Sequence, residues 1–551
     1  MRSKSNFVLS QLKICILFFL VVGQHCSIGQ KDNTSKVPKY TFGTTLNEQE
    51  RQLENNPLIK RFEESRELLA NDKHRPYYHY INPEGRLNDP NGLSFWQGRW
   101  HLFYQAYPPE DPRQHWGHAV SEDLIHWRDL PYAIYPNPED KVFSGSTWVE
   151  NDRVIAMYHG VGVGTMVATS NDPLLLNWEK LTGNAVIPFP KEGTSLPYNI
   201  FDPNIWKKGD SYYTLLAGTR PVGPGGKKVR ANFLLKSKDL TQWEYLHPFI
   251  ENDMYSMVGD DGACPYFWPI GNEGKYILLH FSHMSGGKYL IGDYDQVNDK
   301  FLVSDGDFFN HGPVSHGGLH APSAFPDGKG GVIAIFNMNS GIPIGNGNFT
   351  EMMTLPRLLS LDENDKLIMK PIESVSKLRE SKKEMKEVKL PANNEIVLDG
   401  IEGKAMELKM TVDLKKSNNI EIKVLRSPNE EEYTRIVFIK NGGYNDRSEP
   451  GKNTQYSSIT LDNSMGSLSS NVHPRTPETA NVLIKENETI ELNIFIDRSI
   501  VEVYVNNRQC LSLRTYPDRE DSQTVSVISR GNDASIKNIE AWQMKNLYVK
   551  D

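Results

Sequence analysis

The sequence predicts an all-β chain, a propeller-type domain followed by a β-sandwich, and three observations carry that prediction. From about residue 79 to 365, short apolar, β-branched and aromatic runs alternate with Gly, Pro, Asn and Asp turns. Examples are Arg153-Val-Ile-Ala-Met-Tyr158, Tyr212-Tyr-Thr-Leu-Leu216 and Gly331-Val-Ile-Ala-Ile-Phe336. Within this region a weak motif recurs as Ser121-Glu-Asp123 to Trp127, Ser170-Asn-Asp172 to Trp178 and Ser237-Lys-Asp239 to Trp243. Its spacing of roughly 50–65 residues is the scale of a propeller blade. Each copy is expected to close a strand with an Asp turn and to pack its Trp structurally between blades. Beyond residue 396 strands resume with clean alternation, as in Ala405-Met-Glu-Leu-Lys-Met-Thr-Val412 and Ser499-Ile-Val-Glu-Val-Tyr-Val505, the pattern of sheets with one wet face.

In chain order, residues 1–29 read as an export signal. Arg2 and Lys4 precede Ile14-Cys-Ile-Leu-Phe-Phe-Leu-Val-Val22, an apolar core too short to span a bilayer. Ser27-Ile28-Gly29 supplies small residues for cleavage, whereas Gly23-Gln24-His25 is a poor lead-in for a lipidated Cys26. A soluble secreted or periplasmic protein is expected. Residues 30–78 form a polar N-terminal arm, with a helical stretch from Asn47 to Leu69 whose intermittent stripe is Leu53, Ile59, Phe62 and Leu68. The propeller-type domain occupies 79–365. The charged run at 366–395 reads as a solvated linker with a short helix, and 396–551 is the sandwich.

Composition narrows the function. The 551 residues carry a net charge of −8 and no long basic run, which argues against nucleic acid as a partner. Abundant Trp, Tyr and Phe suit sugar rings. Outside the leader only Cys264 and Cys510 remain, which is neither a disulfide framework nor a zinc cluster. His280, His283, His311, His316 and His320 fit no compact metal motif, so pocket-lining or structural roles are expected of them, and Gly223-Pro-Gly-Gly-Lys-Lys228 lacks the spacing of a phosphate loop. No cofactor and no metal are expected.

The chemistry is read from Arg86-Leu-Asn-Asp89-Pro90-Asn-Gly92. Asn-Asp-Pro-Asn-Gly is turn chemistry, but it stands before the aromatic run Leu93 to Tyr104, and it has companions. These are His115-Trp-Gly-His-Ala119, Phe201-Asp202-Pro203-Asn204 and Ala263-Cys264-Pro265-Tyr266. A carboxylate held in a rigid turn beside aromatics is what a sugar-cleaving nucleophile requires.

These stretches, with Phe103-Tyr-Gln-Ala-Tyr-Pro108, Asp123-Leu-Ile-His-Trp127, Phe143-Ser-Gly-Ser146, Leu355-Pro-Arg357 and Asp497-Arg-Ser-Ile-Val-Glu-Val-Tyr504, resemble glycoside hydrolase family 32, the invertases, levanases and inulinases. The resemblance covers nearly everything after residue 75. It implies a five-bladed β-propeller followed by a C-terminal β-sandwich, and a β-fructosidase-like hydrolase that retains configuration on an oligo- or polysaccharide containing furanosides. By the same resemblance Asp89 is the nucleophile and Asp202 the transition-state stabiliser. Asn88, Gln105, Trp116, Phe143, Ser144, Phe201 and Ala263 fall at sugar-pocket positions.

Two positions depart from the family pattern. The Arg before the stabilising Asp is Phe201, and the acid/base Glu is Ala263. A methyl group carries no proton, and losing a general acid costs about two to four powers of ten. Three readings stay open. Asp261 substitutes for the acid, since residues two apart on a strand share a face; Asp260 would do so only through a bulge at Gly262. Alternatively the chain binds sugar without cleaving it, or the altered pocket takes a different furanoside.

Overall fold

The computed structural model describes residues 33–549 apart from 191–198, 221–225, 228, 231, 272–273, 315–316, 341–350, 448–450, 452 and 473–474. The expected export leader, His316 and most of the 223–228 loop therefore lie outside the described residues.

Each apolar run of the first region becomes a strand of a sheet built on four antiparallel strands, to which every blade but the first adds one short strand, and consecutive strands pair because the turns between them are short. Blade I is Arg86–Trp96, Arg99–Tyr107, His115–Ser121 and Arg128–Ile134. Blades II, III, IV and V begin on the inner strands Val142–Val149, Asn199–Lys208, Ala263–Pro269 and Leu319–Pro326. Each inner strand contacts that of the next blade, and the fifth returns to the first, so the ring closes. Apolar side chains fill the space between neighbours, as where Ile155 and Met157 of blade II meet Ile205 and Leu216 of blade III.

The recurring Asp turn does what its chemistry demands. The Asp123 carboxylate accepts the backbone N–H groups of Ile125 and His126, Asp172 those of Leu176 and Asn177, and Asp239 those of Thr241 and Gln242. Asp295 and Asp362 do the same in blades IV and V, where the missing Trp hid the repeat. In all five blades the turn joins the third strand to the fourth.

The arm carries two helices where the sequence suggested one. Thr45 caps Leu46–Glu54 through a capping box with Glu48, and Asn56 caps Pro57–Leu69 with Pro57 in the first turn. Leu53 and Phe62 are buried against the propeller, and Gln49 donates to Asp172 at 2.7 Å. Leu68, placed on the stripe by periodicity, is instead 82% exposed.

The expected linker is a correction. Leu367–Pro371 is the fourth strand of blade V, Glu373–Leu378 a 3-10 turn, and Arg379–Leu390 a twelve-residue strand. That last strand is the edge of the first sandwich sheet, pairing with Ala534–Met544. It reads as linker because its exposed Lys and Glu residues are what an edge strand uses to avoid pairing with another chain. The two six-stranded sheets bury Met406, Leu408, Ile422, Ile436, Val503 and Val527 between them.

The sandwich grips the start of the propeller. Fully buried Asp497 accepts the backbone N–H groups of Tyr77, Tyr78 and His79, at 2.7, 2.9 and 2.9 Å. The His79 ring lies between Asp497 at 2.9 Å and Glu502 at 3.1 Å, and Arg357 reaches Glu502 at 3.1 Å. Burial alone would lower the His79 pKa, but its two carboxylate partners outweigh burial and raise it to about 8.

Candidate active site

All five inner strands slip by one residue at the same height. The register shifts fall between Leu87 and Pro90, Val142 and Gly145, Ile200 and Pro203, Ala263 and Tyr266, and Leu319 and Pro322. A bulge frees two residues from the ladder and re-aims a side chain. These five free Asn88-Asp89, Phe143-Ser144, Phe201-Asp202, Cys264-Pro265 and His320-Ala321. The bulges converge on an axial cavity of about 350 Å³, walled by Asn88, Asp89, Phe143, Phe201, Asp202, Cys264 and His320 among others. A larger cleft of about 640 Å³ lies between the arm helices and blade I, but Arg66 and Asp129 in its wall are half-buried and paired with each other at 2.5 Å. The converging carboxylates make the axial cavity the site.

Asp89 is held on every side. Its Oδ2 accepts from Gln105 at 3.1 Å and from Ser144 at 2.6 Å, while His320 Nδ1 stands 3.1 Å from Oδ1. Gln105 is fixed by Asn88, and Asn88 by Asn337. Burial opposes the Asp89 charge, yet His320, Ser144 and the field of His283 hold its pKa below the ordinary Asp value. Behind it Gly92, at φ +48, brings its N–H to the Tyr266 hydroxyl at 3.0 Å; a Cβ there would lie 2.7 Å from Thr147. Tyr266 also accepts from Ser323 and donates to Gly145, so one blade IV hydroxyl ties blades I, II and V at the axis.

Asp202 faces Asp89 across Cys264. The Cys264 N–H donates to Asp202 Oδ2 at 3.0 Å, and its sulfur lies 3.4 Å from that oxygen and 3.6 Å from Asp89 Oδ2. A single sulfur touching both carboxylates sets them within one sugar ring of each other. Cys264 achieves this at φ +47, in the left-handed region. Burial and the two acids push its thiol well up, so it stays protonated. Burial first, then the Asp89 charge, push Asp202 up to about 6. One carboxylate is thus ionised and its neighbour readily protonated, the division of labour a hydrolase uses.

The predicted residues Asn88, Asp89, Gln105, Phe143, Phe201, Asp202, Asp261 and Ala263 all line the cavity, and Ser144 bonds Asp89 from behind. Trp116 does not line it. The ring is fully buried and stacks on Phe103, and its Nε1 donates to the Phe143 carbonyl at 2.9 Å, so it supports the wall from outside. Ala263 packs with Cys264, Phe281, Ala321 and Phe201 into an apolar patch. Asp260 turns away into a buried ion pair with Lys288 at 2.7 Å.

Sequence reasoning assigned no role to His159, Gln114 and Phe281, which also line the cavity, and of the histidine cluster it read as pocket-lining or structural, His283 and His320 line it. His280 is buried within its strand, and the His311 N–H donates to Glu478 on the sandwich. Among the described residues no group of His, Cys, Asp and Glu is arranged to hold a metal. Glu351 is buried and its Oε2 has no hydrogen-bond partner among the described residues; burial pushes it up to about 7, but it does not line the cavity.

Paired carboxylates at the axis of a five-bladed propeller, with a β-sandwich behind, define a glycoside hydrolase. The glycosyl hydrolases family 32 N-terminal domain matches residues 79–371, and the family 32 C-terminal domain matches 374–543. The chain belongs to glycosyl hydrolase family 32. It is similar to the sucrose-6-phosphate hydrolase of Zymomonas mobilis subsp. mobilis, 27% identical over 495 residues, covering 82% of this chain and 89% of that one. The levanase of Bacillus subtilis is 25% identical over 518 residues, covering 87% of this chain and 71% of that one. In fold it resembles fructan 1-exohydrolase IIa from Cichorium intybus, with a TM-score of 0.74 and 22% identity, across 86% of this chain and 98% of that one.

Proposed function

We propose that the chain is an exported hydrolase of β-fructosides that works with retention of configuration and with an altered acid/base position. The observation that carries the reading is the Asp89–Cys264–Asp202 contact at the cavity floor. Asp89, ionised and aligned by Gln105 and Ser144, attacks the anomeric carbon from one face of the ring. Asp202 holds sugar hydroxyls as positive charge develops, and its raised pKa lets it share a proton with them. Water then releases the sugar from Asp89. The named activities of the relatives, on sucrose 6-phosphate and levan, support fructose as the transferred sugar. The positively charged start and apolar core of residues 1–29 support export.

The apolar patch around Ala263 and Phe201 favours a second reading, a sugar-binding protein without turnover. One experiment separates the two. The mature protein is incubated with sucrose, levan, inulin and aryl furanosides, reducing sugar is followed, and Asp89→Asn is the control. Turnover that disappears in Asp89→Asn supports the hydrolase. Saturable binding with no turnover on any of them establishes the binding protein.

A further inference from the structure

Ala263 is the cross-strand partner of Phe281 at the cavity end of blade IV. Extending that antiparallel register by two residues sets Asp261 opposite His283, and the two side chains meet. His283 Nδ1 lies 2.7 Å from Asp261 Oδ2, and the His283 backbone N–H donates to Asp261 Oδ1 at 3.3 Å. Both line the cavity with Asp89 and Asp202. With Nδ1 engaged by a carboxylate, Nε2 is the atom left to exchange a proton, and it makes no hydrogen bond among the described residues. The ring is 65% exposed at the cavity mouth, where a leaving group departs and water enters.

We propose that His283, oriented by Asp261, is the proton donor and acceptor of this hydrolase, working beside the alanine at 263; the proposal rests on the fructoside-hydrolase reading above. In the first step Nε2–H gives its proton to the glycosidic oxygen. The C–O bond electrons leave with that oxygen while an Asp89 oxygen forms the new bond to the anomeric carbon. In the second step neutral Nε2 takes a proton from water, whose oxygen displaces Asp89 and restores its carboxylate. Asp261 commits both oxygens to His283, which makes it a positioning residue rather than the acid its place in the sequence suggested. The groups facing His283 are Asp261 on the preceding turn, Asp89 of blade I, Asp202 of blade III and the His320 ring of blade V, 6.4 Å away. The Asp261 hydrogen bond chiefly, against some burial and aided by the other two acids, raises its pKa and keeps it a proton donor near neutral pH.

The test compares sucrose and levan, whose leaving alcohols need a proton, with an aryl β-fructofuranoside whose phenol leaves without one. His283→Gln is expected to lower kcat/KM on sucrose or levan by about 10²- to 10⁴-fold and on the aryl substrate by much less. Ala263→Glu in that background should restore sucrose or levan cleavage. Asp261→Asn should move the basic limb of the pH profile to lower pH, a change that loosened packing does not produce. Turnover that needs Asp89 yet keeps its full rate on sucrose or levan in His283→Gln overturns this role alone. Absence of Asp89-dependent turnover on both substrate types overturns the hydrolase reading and this role together.

Discussion

Asp202→Asn should make the protein more stable at neutral pH while destroying its activity. The buried carboxyl has a pKa of about 6 against an ordinary value of 3.8, because burial first and the Asp89 charge second disfavour its ionised form. Each unit is worth about 1.4 kcal/mol, so the fold bears a penalty of about 3 kcal/mol once the carboxyl is charged. The sign follows from a raised acid pKa. The unfolded chain releases this proton near pH 4 and the folded chain near 6, so stability falls as pH rises between them and the penalty is complete above 6. Asparagine keeps an oxygen to accept the Cys264 N–H and leaves no charge to bury. Guanidinium unfolding at intervals from pH 4 to 8 should show the wild type and variant converging at the acid end and separating by about 3 kcal/mol at pH 7. A gap that does not change with pH would refute the reasoning, since a packing effect of the amide is pH-independent while the titration is not.

Other outcomes follow from the same structure. Asp497→Asn should cost about 3–5 kcal/mol, because one amide cannot serve three N–H donors and a buried His79, and proteolysis near residues 70–80 should accelerate. His79 has a raised pKa, so its stabilisation of about 2 kcal/mol is present below pH 6.5 and lost as pH rises through 8. Unfolding midpoints of wild type and Asp497→Asn should therefore draw closer between pH 6 and 9. Phe62→Ala should cost about 3–5 kcal/mol by opening a cavity under the second arm helix, while Leu68→Ala should be near neutral, both read by thermal unfolding.

Local chemistry was legible and long-range closure was not. Alternation in Ala405–Asp413 and the Asp turns after Ser121, Ser170 and Ser237 depend on neighbours in sequence, so strands and blades could be read there. Asp89 and Asp202 stood out because an Asp-Pro step marks the bulge that frees each carboxylate. The bulge at His320 has no such mark, and its approach to Asp89 exists only once blade V meets blade I. His283 needs the hairpin register of blade IV to reach Asp261. Trp116 misled for the opposite reason, since an aromatic next to pocket residues packs as readily behind the wall as in it. Pro57 split one amphipathic stretch into two helices, and the charged edge strand at Arg379–Leu390 disguised itself as solvent-exposed connector.

The five bulges give the cavity a quality of their own. The ladder above and below each slip carries the strand pairing, while the freed residues meet one another across the axis, as Asp89 meets Ser144 and His320 and as Cys264 meets Asp202. Chemistry at the axis can be exchanged among the residues released by the bulges, as cartridges in a fixed barrel, without changing the ladders that build the ring. A cavity made this way can lose a proton donor from one strand and recruit another from the hairpin beside it, leaving the neighbouring blades as they were.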